Sequence, residues 1–216
     1  QEAAKKAQAA AAWPSQKKSP EAKAPAAPVV QPADRQLLAA CSEWWRELPP
    51  VAETANVLAP GQLYAVQTYA AAAYEAELGA FAAAQRRKHG KDQSIVQRLT
   101  SAGTVKDRIA ALTVQAHESS FHALPHLRQL VALAERPRPE VRLAACEALS
   151  DLFLQRLMPP RALFPLDKQR LPPDTLKAAA AGGPVPAASS AVASLTPLLM
   201  AFFESELKGL YARFVG

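Results

Sequence analysis

Three of the four histidines fall within ten residues, at His117, His122 and His126, with Glu118 and the pair Ser119-Ser120 among them. A zinc-protease helix needs its histidines four apart, one above the other on a single face. His117 and His122 are five apart, about 140° round a helix, and the intervening ESS reads as a helix break. No metal site is expected, and the histidines read as capping or solvated groups. Ser119 and Ser120 beside His117 and His122 look like a nucleophile with its base, but nothing nearby supplies an oxyanion pocket. Glu204 and Glu206 stand too close on one helical pattern to face each other as acid and base. With 8 glycines, the chain has no phosphate loop, dinucleotide fingerprint or nucleophile elbow. The expectation is a protein that is not an enzyme and holds no cofactor.

The remaining chemistry is electrostatic. Arg86, Arg87, Lys88 and Lys91, with His89 among them, form the one dense basic cluster in a chain of net charge +6. Such a cluster is either a solvated helix end or a contact for a polyanion.

The composition limits what can position these groups. A chain of 216 residues makes one ordinary domain or a run of short repeats. Its 50% hydrophobic content includes 48 alanines, and aromatics are only 6%, so β packing is not expected. The 19 prolines outnumber the glycines, which suits stiff spacers between helices. Mean hydropathy is −0.08, and no apolar run approaches the ~18 residues of a membrane helix. A secretory leader is not expected either, because Lys5 and Lys6 precede only an alanine run. Cys41 and Cys146 lie far apart on helical apolar stripes, reading as two buried thiols in a reducing compartment. The opening at Gln1, and a helical pattern still running at Gly216, predict a piece of a longer chain.

Residues 1–33, rich in Ala, Pro and Lys, read as a disordered tail, with a short helix possible over 2–12 and Trp13 as an anchor. Residues 34–165 read as helical repeats. Asp34 caps a helix bearing Leu37, Leu38, Cys41, Trp44, Trp45 and Leu48, stopped by Pro49-Pro50. A second helix follows Pro60, with Leu63, Val66, Tyr74, Leu78 and Phe81 on its apolar side and Gly90 as its terminator. Thr104 and Asp107 open a third as a capping box, with Val105, Ile109, Leu112 and Ala116 on one face. Pro125 begins the next, faced by Leu124, Leu127, Val131 and Ala134 and stopped at Pro137. Pro139 opens another, with Val141, Ala145, Leu149, Phe153 and Leu157 in a row and Arg142 on the rim. The last two helices read as a HEAT-type unit, which cannot bury its apolar face without stacking on neighbours. The fold class is all-α, a HEAT-like α-solenoid. Residues 166–190 read as a flexible linker. Residues 191–216 read as the start of a further repeat, with Thr196 as N-cap, Pro197 at the first position, and Leu195 and Met200 as a staple. Its stripe of Leu199, Phe203, Leu207, Leu210 and Phe214 predicts a packing partner beyond this stretch.

Three segments in serial order carry a resemblance. The first is Gly103, Thr104, Asp107, Arg108, Ile109, Ala111, Leu112 and Thr113, continued by Glu118, Ser119, His122 and Leu124. The second is ALSDLFLQRLMPPRAL, and the third holds Phe203, Glu204, Leu207 and Lys208. Over about residues 90–165 and 196–215 the chain resembles the CCAAT-binding-factor family of nucleolar assembly factors, departing from it at Ser120, Pro160 and Ala201. The resemblance implies a non-catalytic scaffold of large ribosomal subunit biogenesis, located in the nucleus and nucleolus. It implies as partners a second nucleolar-complex protein, pre-ribosomal RNA, large-subunit ribosomal proteins and other assembly factors, and no membrane. Arg86, Arg87, Lys88 and Lys91 are then the candidate RNA contacts. Two alternatives stay open: a DNA-binding transcription factor, although zinc fingers, a basic region with heptads and a helix-turn-helix are all missing, and a generic HEAT-type adaptor.

Overall fold

The computed structural model describes residues 43–47, 58–182 and 192–216, with 91–93 and 192–194 described by backbone alone. The expected tail at 1–33 and the cap at Asp34 lie outside the described residues, as does Cys41. Among the described residues every regular element is helical: a 3-10 turn at Trp44–Glu47, then α1 (Pro60–Ala102), α2 (Val105–Glu118), α3 (Leu124–Ala134), α4 (Pro139–Leu152), α5 (Pro173–Ala180) and α6 (Val192–Val215). The all-α, helical-repeat reading holds.

Capping explains the best-placed boundaries. The Thr104 hydroxyl accepts a hydrogen bond from the Asp107 amide at 3.2 Å, and Asp107 accepts one from the Thr104 amide at 3.0 Å. This is the expected capping box. The Thr104 hydroxyl also donates to the Asp107 carboxylate at 2.7 Å, and this bond, with that from the Thr104 amide, holds the carboxyl below its ordinary range. Pro125 and Pro139 occupy the first turns of α3 and α4, where a missing amide proton costs nothing. The stripe Ile109, Leu112 and Ala116 is buried, as are Leu124, Leu127 and Val131 opposite it. The row Ala145, Leu149, Phe153 and Leu157 is buried too, its last two members on a π-helical turn, while Arg142 lies exposed. Cys146 is a free, half-buried thiol.

Three elements differ from expectation. The stop expected at Gly90 takes the form of a kink: the 43 residues of α1 comprise two helices joined at His89 (φ −131°, ψ 38°), and helix resumes beyond it to Ala102. Gly90 lacks the positive φ of a terminating glycine, and the break falls one residue before it.

The span expected as a linker contains order in its described part, 166–182. Leu166, Leu171, Thr175 and Ala179 are buried, and α5 packs on α1 and α6. Pro173 starts this helix, and Ala178, Ala179 and Ala180 sustain it. Gly182 follows at φ +59°, a conformation costing glycine little.

The last helix starts at Val192, so Thr196 is not its N-cap and Pro197 lies inside it. Burial of Leu195 and Leu198 on either side offsets the hydrogen bond that Pro197 cannot donate. The stripe Leu199, Phe203, Leu207 and Leu210 is buried within this same molecule, against α1, α3, α5 and the Trp44 turn. It does not wait for a partner.

Aromatic rings from distant parts of the chain meet at the centre. Trp44 packs edge-on against Phe203 at 5.1 Å and donates its indole N–H to the Leu157 carbonyl at 3.0 Å. Tyr74 meets Phe121 at 5.3 Å and Phe202 at 5.6 Å, and its hydroxyl donates to the Phe121 carbonyl at 2.5 Å. Burial pushes that phenol well above its ordinary range, so it stays a donor. Beside these rings the buried Glu204 binds Arg161 through both guanidinium nitrogens. It also accepts from the Phe164 amide at 2.9 Å and from Gln169 at 2.8 Å. On the surface, Arg213–Glu135 at 2.6 Å and Arg128–Glu206 at 2.7 Å fasten α6 to α3. The Arg213 guanidinium holds the Glu135 carboxyl low.

Candidate functional site

The histidine cluster becomes a built arrangement where α1, α2 and α3 meet. Ser119 ends α2, and a single 3-10 turn, Phe121–Ala123, swings His122 back toward α1. His122 Nδ1 lies 2.8 Å from the Ser119 hydroxyl, and Nε2 lies 3.3 Å from Glu77 Oε1. The imidazole stacks on the Phe81 ring at 3.8 Å with the planes 8° apart. The expectation of capping or solvated histidines therefore fails for His122. The five-residue spacing rules out one helical face, but the break places His122 in a separate turn.

The order Ser119–His122–Glu77 has the connectivity of a hydrolase relay. All three side chains are nonetheless buried: Ser119 is 1% exposed, His122 3% and Glu77 1%. A nucleophile there cannot meet a substrate. What the arrangement does is join α1 to the α2–α3 turn through contacts among three buried polar side chains.

Next to this relay the surface opens into a cleft of about 210 Å³. Leu78, Phe81, Ala82 and Pro125 form apolar walls, and Gln85, Gln115, Glu118, His122 and His126 are its polar members. Gln85 of α1 donates to the Glu118 carboxylate and ties α1 to the end of α2. Burial pushes the His126 imidazole below its ordinary range. Gln115 Oε1 and His126 Nδ1 are shielded from solvent and have no hydrogen-bond partner among the described residues. Each such unmatched atom costs about 1–3 kcal/mol. Among the described residues, no group of three or more acidic, cysteine or histidine side chains is placed to hold a metal.

The basic cluster lies farther along α1. Arg86, Arg87 and Lys88 are exposed, and successive residues point about 100° apart, so they ring the helix instead of sharing a face. His89 marks the kink, and Lys91 follows on the next turn, described by its backbone only. Among the described residues none of Arg86, Arg87 and Lys88 is in an ion pair. No described helix is long and apolar enough to cross a membrane.

Sequence reasoning missed Glu77, Gln85 and Gln115. Glu77 had a signal: a lone carboxylate at helical spacing between Tyr74 and Phe81, on the apolar side of α1. Gln85 continues that stripe two turns on.

Helices packed around one aromatic centre, with a polar cleft and a basic helix segment, define an all-α helical-repeat protein. Over 150 residues, 69% of this chain, it is 25% identical to CCAAT/enhancer-binding protein zeta of Homo sapiens, covering 14% of that protein. Over 82 residues, 38% of this chain, it is 37% identical to an uncharacterised protein of Schizosaccharomyces pombe, covering 10% of that one. The chain thus spans a small fraction of the length of these relatives. No family model matches it.

Proposed function

We propose that this chain is part of a non-catalytic nuclear scaffold, acting in the nucleolus in assembly of the large ribosomal subunit. Its surfaces would hold pre-ribosomal RNA and partner proteins, among them a second nucleolar-complex protein, by contact alone. The observation that carries this reading is the distant likeness to CCAAT/enhancer-binding protein zeta across 69% of the chain. The burial of Ser119, His122 and Glu77 supports the non-catalytic part. The exposed Arg86, Arg87 and Lys88 support a polyanion contact.

The test replaces Arg86, Arg87, Lys88 and Lys91 together by Glu. Binding to structured RNA should weaken, and the salt dependence should flatten by about 0.7–0.9 log units per lost phosphate contact. The melting temperature should stay unchanged, because the described side chains are exposed. Unchanged RNA affinity, salt slope and particle recovery would remove these residues from the account.

The name of the human relative favours a second reading, in which this chain contacts duplex DNA. Binding measured against duplex DNA and structured RNA at matched salt separates the two. Fluorescence location of the full-length protein separates both from a generic cytosolic adaptor.

A further inference from the structure

The cleft between α1, α2 and the start of α3 presents acceptors. Gln115 contributes a carbonyl oxygen and Glu118 a carboxylate at an exposed position, and one Glu118 oxygen already binds Gln85. His126 contributes a ring nitrogen with no hydrogen-bond partner among the described residues, an acceptor in the tautomer protonated at Nε2. Leu78, Ala82 and Pro125 complete the walls with hydrocarbon. We propose that this cleft receives an arginine side chain from a partner polypeptide, its guanidinium facing Glu118, Gln115 and His126.

The chemistry selects this occupant. A guanidinium carries five N–H donors in one plane and can serve several separated acceptors at once, whereas an ammonium is a compact, strongly hydrated point charge. The aliphatic stem of arginine suits the apolar walls. The Glu118 charge complements the cation and repels a phosphate. Binding requires rotations of Gln115 and of the His126 ring that turn their shielded polar atoms toward the guest. Phe81 and His122, stacked on each other, belong to the lining themselves, and the contacts of His122 with Ser119 and Glu77 hold that part of the wall in place. The inference does not depend on a role in ribosome assembly, since it uses only the cleft.

The test titrates the full chain with acetyl-arginine methylamide, following the Gln115 side-chain amide and the His126 ring by NMR. Saturable shifts at both are expected. The citrulline counterpart, nearly the same shape without charge, should bind at least about tenfold more weakly, and Glu118→Gln should weaken arginine binding by about tenfold. Gln115→Leu should also weaken it while leaving the melting temperature equal or higher. Citrulline binding as well as arginine, or undiminished binding in either variant, overturns the proposal. So does the absence of saturable shifts. Tighter binding of acetyl-lysine methylamide or of guanosine monophosphate at the same resonances would also overturn it.

Discussion

Glu204 brings a carboxylate into the interior, where Arg161, Gln169 and the Phe164 amide surround it. Replacing it by Ala takes the ion-pair partner from a guanidinium that is 30% exposed, the acceptor from the half-buried Phe164 amide and one of two acceptors from Gln169. The expected loss is about 3 kcal/mol, read from urea unfolding. Arg213→Ala removes an exposed, solvent-screened pair and should shift the same measurement far less. His126 predicts a pH dependence. Its folded pKa is depressed, so as pH falls the unfolded chain takes up that proton first and the native state loses ground. Stability should decline as pH drops below about 6.5, and His126→Phe should flatten that part of the profile. An equal slope in both proteins would show that other groups govern it. The surroundings of neither Glu204 nor His122 are legible in the sequence. Glu204 stands out there only as an acidic residue near Glu206, because its partners lie about forty positions earlier. Helical spacing argues against a role for His122, but spacing says nothing about a side chain delivered from a turn.

At the scale of elements, caps and proline starts are legible because they are local. Thr104 with Asp107, Pro125 and Pro139 act within one turn of their own positions. Thr104→Ala should accordingly destabilise the fold by about 1 kcal/mol, measured by thermal melting. Gly103→Ala should do at least as much, since a Cβ there runs into the Leu99 carbonyl. Less legible are elements decided by tertiary burial. Glycine at position 90 suggests a stop, and the helix does break at His89 beside it, but a second helical stretch follows directly. Residues 166–182 look like spacer by composition, but Leu166, Leu171 and Ala179 each find a buried place beside α1 or α6. Pro197 suggests a first turn, and burial of its neighbours places it within α6 instead.

Across the whole molecule, the helices are organised around rings drawn from four regions: Trp44, Tyr74, Phe121 and the pair Phe202-Phe203. Phe203→Ala should remove about 3–5 kcal/mol, the cost of a fully buried aromatic, and loosen the Trp44 turn with it. Tryptophan fluorescence, shifting to the red in the folded variant, reports the second effect. The all-α class is readable from period and caps alone. The meeting of these rings is not, because apolar stripes specify which face is buried and leave open which helix covers it. For that reason the stripe of α6, read by itself, points to a partner outside this stretch.

Phe203 also bears on how the protein is made. Translation delivers Trp44, Tyr74 and Phe121 long before it delivers the helix that covers them. A nascent chain that has passed α4 therefore leaves these rings uncovered until α6 emerges from the ribosome. Stalling in that interval, or trimming α6 afterwards, would leave a greasy, chaperone-attracting intermediate in place of a smaller working protein.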